Sequence, residues 1–116
     1  MTTYDFVIAD VFTDTPLAGN QLAVFVDGDA VPDELKQPLA KEIGFSETVY
    51  VGADDRIRIF TPSTELPFAG HPTLGTGYVL ARERQVDAVE LTTKKGVVSL
   101  TFDANVARPP SIACRA

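Results

Sequence analysis

Apolar positions in this chain come in short runs, and the runs come in pairs. Residues 4–12, "YDFVIADVF", are β-branched and aromatic and predict a strand. The turn-forming "TDTPLAGN", with Pro16, Gly19 and Asn20, leads from it into a second strand, "QLAVFV". The pattern then changes period. "VPDELKQPLAKEIG" opens with Pro32 and two acids, spaces Leu35, Leu39 and Ile43 as one helical face, and closes on Gly44. Pro38 lies inside that helix, where its ring and missing N–H predict a kink costing roughly 3 kcal/mol. "ETVYV" and "RIRIF" alternate as a strand pair joined by "GADD", a suitable hairpin turn. After the loop "TPSTELPFAG", Pro72 can begin a second helix carried on by Leu74, Tyr78, Val79 and Arg82. "DAVELTT" and "GVVSLTF" then predict two more strands around Lys94, Lys95 and Gly96.

The resulting order, β-β-α-β-β-α-β-β, places strands in pairs between helices. That argues against a parallel β-α-β sheet and for an α+β domain with mainly antiparallel pairing. It hints at a repeated β-β-α unit, without a repeat at the level of residues. Residues 1–105 read as the domain and 106–116 as an irregular tail, because adjacent prolines and a lack of periodicity in "ANVARPPSIACRA" suggest a linker or a loose terminus.

Composition narrows the choice of partners. The chain has 116 residues, 45% hydrophobic and 22% charged, an ordinary balance for one globular domain. Its formal charge of −6 disfavours phosphate backbones and anionic lipid, so neither nucleic acid nor membrane is expected as a partner. No apolar run approaches a membrane span, and the start lacks the basic segment of a secretory leader, so cytoplasm is the expected compartment. The single cysteine, Cys114, forms no internal disulfide, consistent with that compartment.

Candidate chemistry is sparse. One histidine, one cysteine and no HExxH or CxxC spacing leave no zinc ligand set, so no metal is expected. Gly70 and Gly75 have the glycine spacing of a P-loop, but Thr76 stands where the phosphate-binding lysine belongs. No GxSxG elbow supports a nucleophilic serine. What remains is "FAGHPTLG", a glycine and the only histidine, His71, at the start of a helix whose N–H groups and dipole favour an anion. Glu47, in "GFSETVY", follows a helix-ending glycine at the head of a strand, where an acid can point into a cleft. On spacing alone, other roles serve as well: a structural cap for His71, a solvated strand start for Glu47, a turn residue for Asn20.

The runs "DVFTDTPLAGNQLAVF", "LAKEIGFSETVYV" and "RIRIFTPSTELPFAGHPTLGTGYVL" together resemble the amino-terminal half of the PhzF-like phenazine biosynthesis family over residues 4–103. The family is related in fold to diaminopimelate epimerase. The resemblance implies a curved, mainly antiparallel sheet wrapped around a central helix, one half of a two-domain fold with the active site in the cleft between the halves. It implies cofactor-independent proton transfer on a small cyclic or aromatic-type carboxylate, since the namesake isomerises a dihydro-hydroxyanthranilate without metal or organic cofactor. Position by position, Glu47 matches the family's acid/base glutamate and His71 its active-site histidine. Gly70, Pro72 and Thr73 fall in the ligand-carboxylate region, and Asn20 matches a position lining the same cleft. A two-thiol racemase is disfavoured, because Glu47 stands where diaminopimelate epimerase has a cysteine.

Moving a proton between two carbons needs one carboxyl able to accept it and return it, which partial burial favours. Family members add a second domain with a "GDPATGS"-like motif supplying an aspartate and a serine, and these 116 residues contain no such motif. Two expectations follow. In one, the chain is an isomerase half completed by a second copy, as a homodimer, or by a chain carrying the complementary C-terminal domain. In the other, it is a non-catalytic binding or dimerisation module that keeps the anion pocket.

Overall fold

Side chains on a strand alternate between faces, and here both faces of the main sheet are apolar, so both must be covered. The structure is a computed structural model that describes residues 3–11, 20–102 and 114–115. Its strands are β1 (Val7–Val11), β2 (Asn20–Phe25), β3 (Glu47–Val51), β4 (Ile57–Phe60), β5 (Glu65–Leu66), β6 (Ala88–Thr93), β7 (Gly96–Thr101) and β8 (Cys114–Arg115). The helices are α1 (Asp33–Ile43) and α2 (Gly70–Arg84). Six strands form one sheet in the order β5-β4-β3-β2-β1-β8, and β6 and β7 form a separate hairpin.

The fold class is the α+β one expected, with a difference in the sheet. All pairs are antiparallel except β2 with β3, which run parallel with Leu22 beside Glu47 and Val24 beside Val49. A parallel pair needs a crossover, and α1 supplies it. The paired-strand pattern misses this because the strands flanking α1 belong to different hairpins. The loop 12–19 and most of the tail lie outside the described residues, while Cys114–Arg115, placed in the irregular tail by sequence, pair with Val7 and Ile8.

One face of the sheet packs on α2. Val7, Leu22, Val24, Val49, Val51 and Ile59 meet Val79, Leu80 and Ala81 there, and the β6–β7 hairpin closes over the opposite side of the helix with Val89 and Leu91. The helix is therefore enclosed. Gly77 permits the approach, because a Cβ at that position would collide with the Leu100 side chain.

The other face packs on α1 through an aromatic cluster. Phe25 stacks on Tyr50 at 4.8 Å between ring centres, and Phe60 meets Tyr50 edge-on at 5.4 Å. Of the face read from sequence, Leu39 and Ile43 pack against this cluster, but Leu35 is 39% exposed, and Lys36, only 4% exposed, and the fully buried Ala40 lie at the centre of the contact instead. Small Ala40 lets the helix approach the sheet. The Lys36 stem lies over the Tyr50 ring, 5.5 Å from ammonium to ring centre, and its ammonium donates to Val31 O at 2.7 Å and Asp33 Oδ1 at 2.8 Å. The helix is continuous through Pro38, which sits on its exposed side, and Gly44 closes it in the left-handed conformation (φ 78°).

Tyr50 ties the layers together, since its hydroxyl donates to Lys36 O at 2.7 Å in the buried interior. Burial pushes its pKa up to about 12. A phenol whose folded pKa lies above its unfolded value near 10 lends stability that is complete below pH 10 and lost as pH rises toward 12. Tyr50→Phe is expected to cost about 1–2 kcal/mol at neutral pH, because Lys36 O loses a buried donor. Urea unfolding at pH 7 and pH 11 checks this, and the variant should show the smaller alkaline loss.

Candidate functional site

Strand parity places the acid. Val49 and Val51 face α2, so Glu47, two residues ahead of Val49 on the same strand, faces the same side at the sheet's open end. The helix places the imidazole. The structure starts α2 at Gly70 rather than Pro72, so His71 lies within the first turn and Pro72 is the third helical residue. Proline is tolerated there because first-turn N–H groups have no partner inside the helix.

Glu47 and His71, 24 residues apart in sequence, meet in space. His71 Nε2 lies 2.5 Å from Glu47 Oε1, with the two side chains 20% and 13% exposed. Both contacting atoms are closed off from solvent, and Glu47 Oε1 has no other hydrogen-bond partner among the described residues. A carboxyl and an imidazole held in contact can together take up and pass on a proton.

The helix start is shaped for approach from outside. At the helix start Gly70 precedes the helix's own hydrogen-bond ladder, while Thr73 is engaged: its N–H donates to Ala69 O at 3.3 Å and its hydroxyl to the same oxygen at 2.7 Å. Pro72 and Thr73 are buried and hold the turn from beneath. Gly70 is exposed, its φ is not positive, and a Cβ added to it would meet nothing within 4 Å. Nothing among the described residues explains a glycine there, although glycine weakens a helix. Asn20 begins β2, opposite Val11 and two residues before the Leu22 that lies beside Glu47.

The segment leading into α2 is tied down by charge, a feature that sequence spacing does not reveal. Glu65 on β5 accepts two hydrogen bonds from the Arg58 guanidinium, at 2.9 and 2.8 Å, and lies 3.1 Å from Lys94 in the β6–β7 turn. The Arg58 bonds hold its carboxyl below the usual range, so this anchor contributes at neutral pH and is lost on acidification. Two further hydroxyls, Thr48 Oγ1 and Thr76 Oγ1, are buried without a hydrogen-bond partner among the described residues. Thr48 shares the α1-facing side of β3 with Tyr50, away from the cleft.

The model of the phenazine biosynthesis-like proteins, PhzC-PhzF, matches residues 9–113. The chain belongs to this family. It is 44% identical over 103 residues to the trans-2,3-dihydro-3-hydroxyanthranilate isomerase of Pseudomonas aeruginosa, covering 84% of this chain and 37% of that protein. It is 47% identical over 112 residues to an uncharacterized isomerase of Mesorhizobium japonicum, covering 91% of this chain and 34% of that one. Among solved structures, the PhzF-family protein of Bacillus anthracis superposes with a TM-score of 0.79 at 33% identity, covering 90% of this chain and 38% of its own. The family protein of Enterococcus faecalis gives 0.81 at 30% identity, covering 89% and 42%. The chain thus spans less than two fifths of the length of these curated relatives. Among the described residues, no helix is long and apolar enough to cross a membrane.

Proposed function

We propose that this PhzF-family domain contributes the acid/base half of a cofactor-independent isomerase site acting on a small carboxylate. The observation that carries the reading is the Glu47–His71 contact at the start of α2. The substrate carboxylate docks at the start of α2 beside Gly70, where the helix dipole favours negative charge. Open space beside Gly70 leaves room for it. Glu47 takes a proton from one substrate carbon and returns it to another, so no net proton is gained or lost. His71 keeps the carboxyl aimed into the cleft and hands the proton on. The isomerase relatives support this chemistry, and the remaining groups of the site come from outside these 116 residues, whether from this protein, another copy or a complementary chain.

Gly70→Ala separates binding from folding. Alanine suits the start of a helix better, so folding stability is expected to rise by about 0.5–1 kcal/mol. The added methyl occupies the ligand's approach, so the affinity for 3-hydroxyanthranilate, followed by amide NMR, is expected to fall about tenfold, the equivalent of roughly 1.4 kcal/mol. A variant that binds as well as the parent would refute the carboxylate docking. Binding by the parent without proton exchange, even when a complementary chain is supplied, would instead favour a non-catalytic binding module.

A further inference from the structure

We infer that the β6–β7 hairpin is a shutter over α2, hinged beside Gln85 and latched at its tip by Lys94 to Glu65. Ladders hold the centre of the main sheet, where β2 and β3 are paired along both edges. The hairpin is attached differently. Among the described residues β6 pairs along its length with β7 alone, and its other edge meets the main sheet at an isolated bridge, Thr92 to Arg56. Glu90 and Ala88 are in step with Thr92 and turn toward the same edge, where no strand among the described residues pairs with them. A groove of about 480 Å³ runs along this seam instead, between Asp54 and Asp55 ahead of β4 and Val89 and Glu90 on β6.

The hinge end can rotate while staying in place. Gln85 closes α2 in the left-handed conformation (φ 57°), and residues 85–88 are all exposed, so little packing resists rotation of the chain there. Phe102 N–H donates to Asp87 O at 2.7 Å and keeps the two arms of the hairpin together. The base is fixed by the Arg84 guanidinium, which donates two hydrogen bonds to the Asp55 carboxylate, both at 2.7 Å.

The latch lies at the other end. Lys94, in the hairpin turn, is 3.1 Å from Glu65 on β5. The catch is fixed and the bolt is free: the Glu65 side chain is 19% exposed and gripped by Arg58, whereas that of Lys94 is 56% exposed. Along the groove Asp54 and Glu90 carry like charges, which disfavours zipping the seam into a ladder. Release at Lys94 bares the Gly77 side of α2, which Val89 and Leu100 cover, without separating β2 from β3.

The test is native-state amide hydrogen exchange of the chain in graded urea at low salt, read at Leu91 and Val98 of the hairpin, Gly77 of α2, and Val24 and Val49 of the main sheet. A shutter predicts that Leu91, Val98 and Gly77 exchange through an opening with a smaller urea slope than Val24 and Val49, which open only with the whole domain. Lys94→Gln is expected to raise that opening about threefold, in keeping with an exposed ion pair, while Lys94→Arg keeps the parental value. Lys95→Gln removes the same charge one residue away, where no ion pair is made among the described residues, and should change the opening by less than about 1.5-fold. Salt at about 0.5 M should speed the parent by a similar factor to Lys94→Gln and leave that variant unaffected. A common rate and slope for the hairpin and the main sheet overturns the inference. So does an unchanged opening in Lys94→Gln, or an equal effect from Lys95→Gln.

Discussion

Glu47→Gln is expected to retain the bound carboxylate yet lose exchange of ligand carbon-bound hydrogen for deuterium by about 10²–10⁴-fold, the usual contribution of a positioned acid/base. Glutamine has the shape of glutamate and can keep its place beside His71 Nε2, so the site's geometry survives the change. What it cannot do is accept a proton from carbon and give it back. Deuterium incorporation in heavy water, measured beside an NMR titration, separates the two effects. Glu47→Asp should fall between, because shortening the side chain by one methylene opens the 2.5 Å contact with His71 while preserving the carboxyl. Exchange at the parental rate in the glutamine variant would remove Glu47 from the chemistry.

The largest loss of stability is expected far from the cleft, at Gly28. This residue sits in the 3-10 turn Gly28–Ala30 between β2 and α1, pressed onto the middle of the sheet. A Cβ there would lie 2.6 Å from Val51 N, 2.8 Å from Tyr50 C and 2.8 Å from Tyr50 Cβ. These are atoms of β3, which is paired on both edges, so they cannot retreat without disturbing the ladders to β2 and β4. Gly28→Ala should cost about 3 kcal/mol, the upper part of the range for overpacking. For a domain of this size that lowers the melting temperature by roughly 12–20 °C. Gly77→Ala should cost less, because the obstacle there includes the end of a leucine side chain that can rotate. Calorimetry of both variants checks the order, and a loss below about 1 kcal/mol at Gly28 would mean that the turn lifts away freely.

Much of this fold is written in local periodicity, and what periodicity misses has identifiable causes. β3, β4, β6 and β7 follow from alternation because each is half of a hairpin, where partner and register are local. The parallel pairing of β2 with β3 depends on how α1 crosses the sheet, a non-local choice that no window of sequence contains. β5 is two residues long in a proline-flanked loop, too short for any pattern to register. On α1, Leu39 and Ile43 pack as the helical spacing says, but Leu35 gives way to Lys36, chemically a surface residue whose charge is satisfied locally and whose stem packs like an apolar side chain. At the site, helix capping and strand position single out Glu47 and His71 as residues of interest. Only the family resemblance suggests that they act together, and their contact depends on β3 and α2 being brought side by side.

The enclosure of α2 has a consequence for how the site comes into being. This helix carries Gly70, Gly75 and Gly77 together with β-branched Thr73, Thr76 and Val79, a composition that would leave a free peptide of its length largely unstructured. It is helical because the sheet and the β6–β7 hairpin surround it. The helix start that carries His71 is therefore an acquired property of the finished domain, absent from the nascent chain until β6 and β7 have been added. Folding and formation of the helix start arrive in one cooperative step, and loosening of the hairpin, whose turn holds Glu65 through Lys94, is felt at Gly70 and His71.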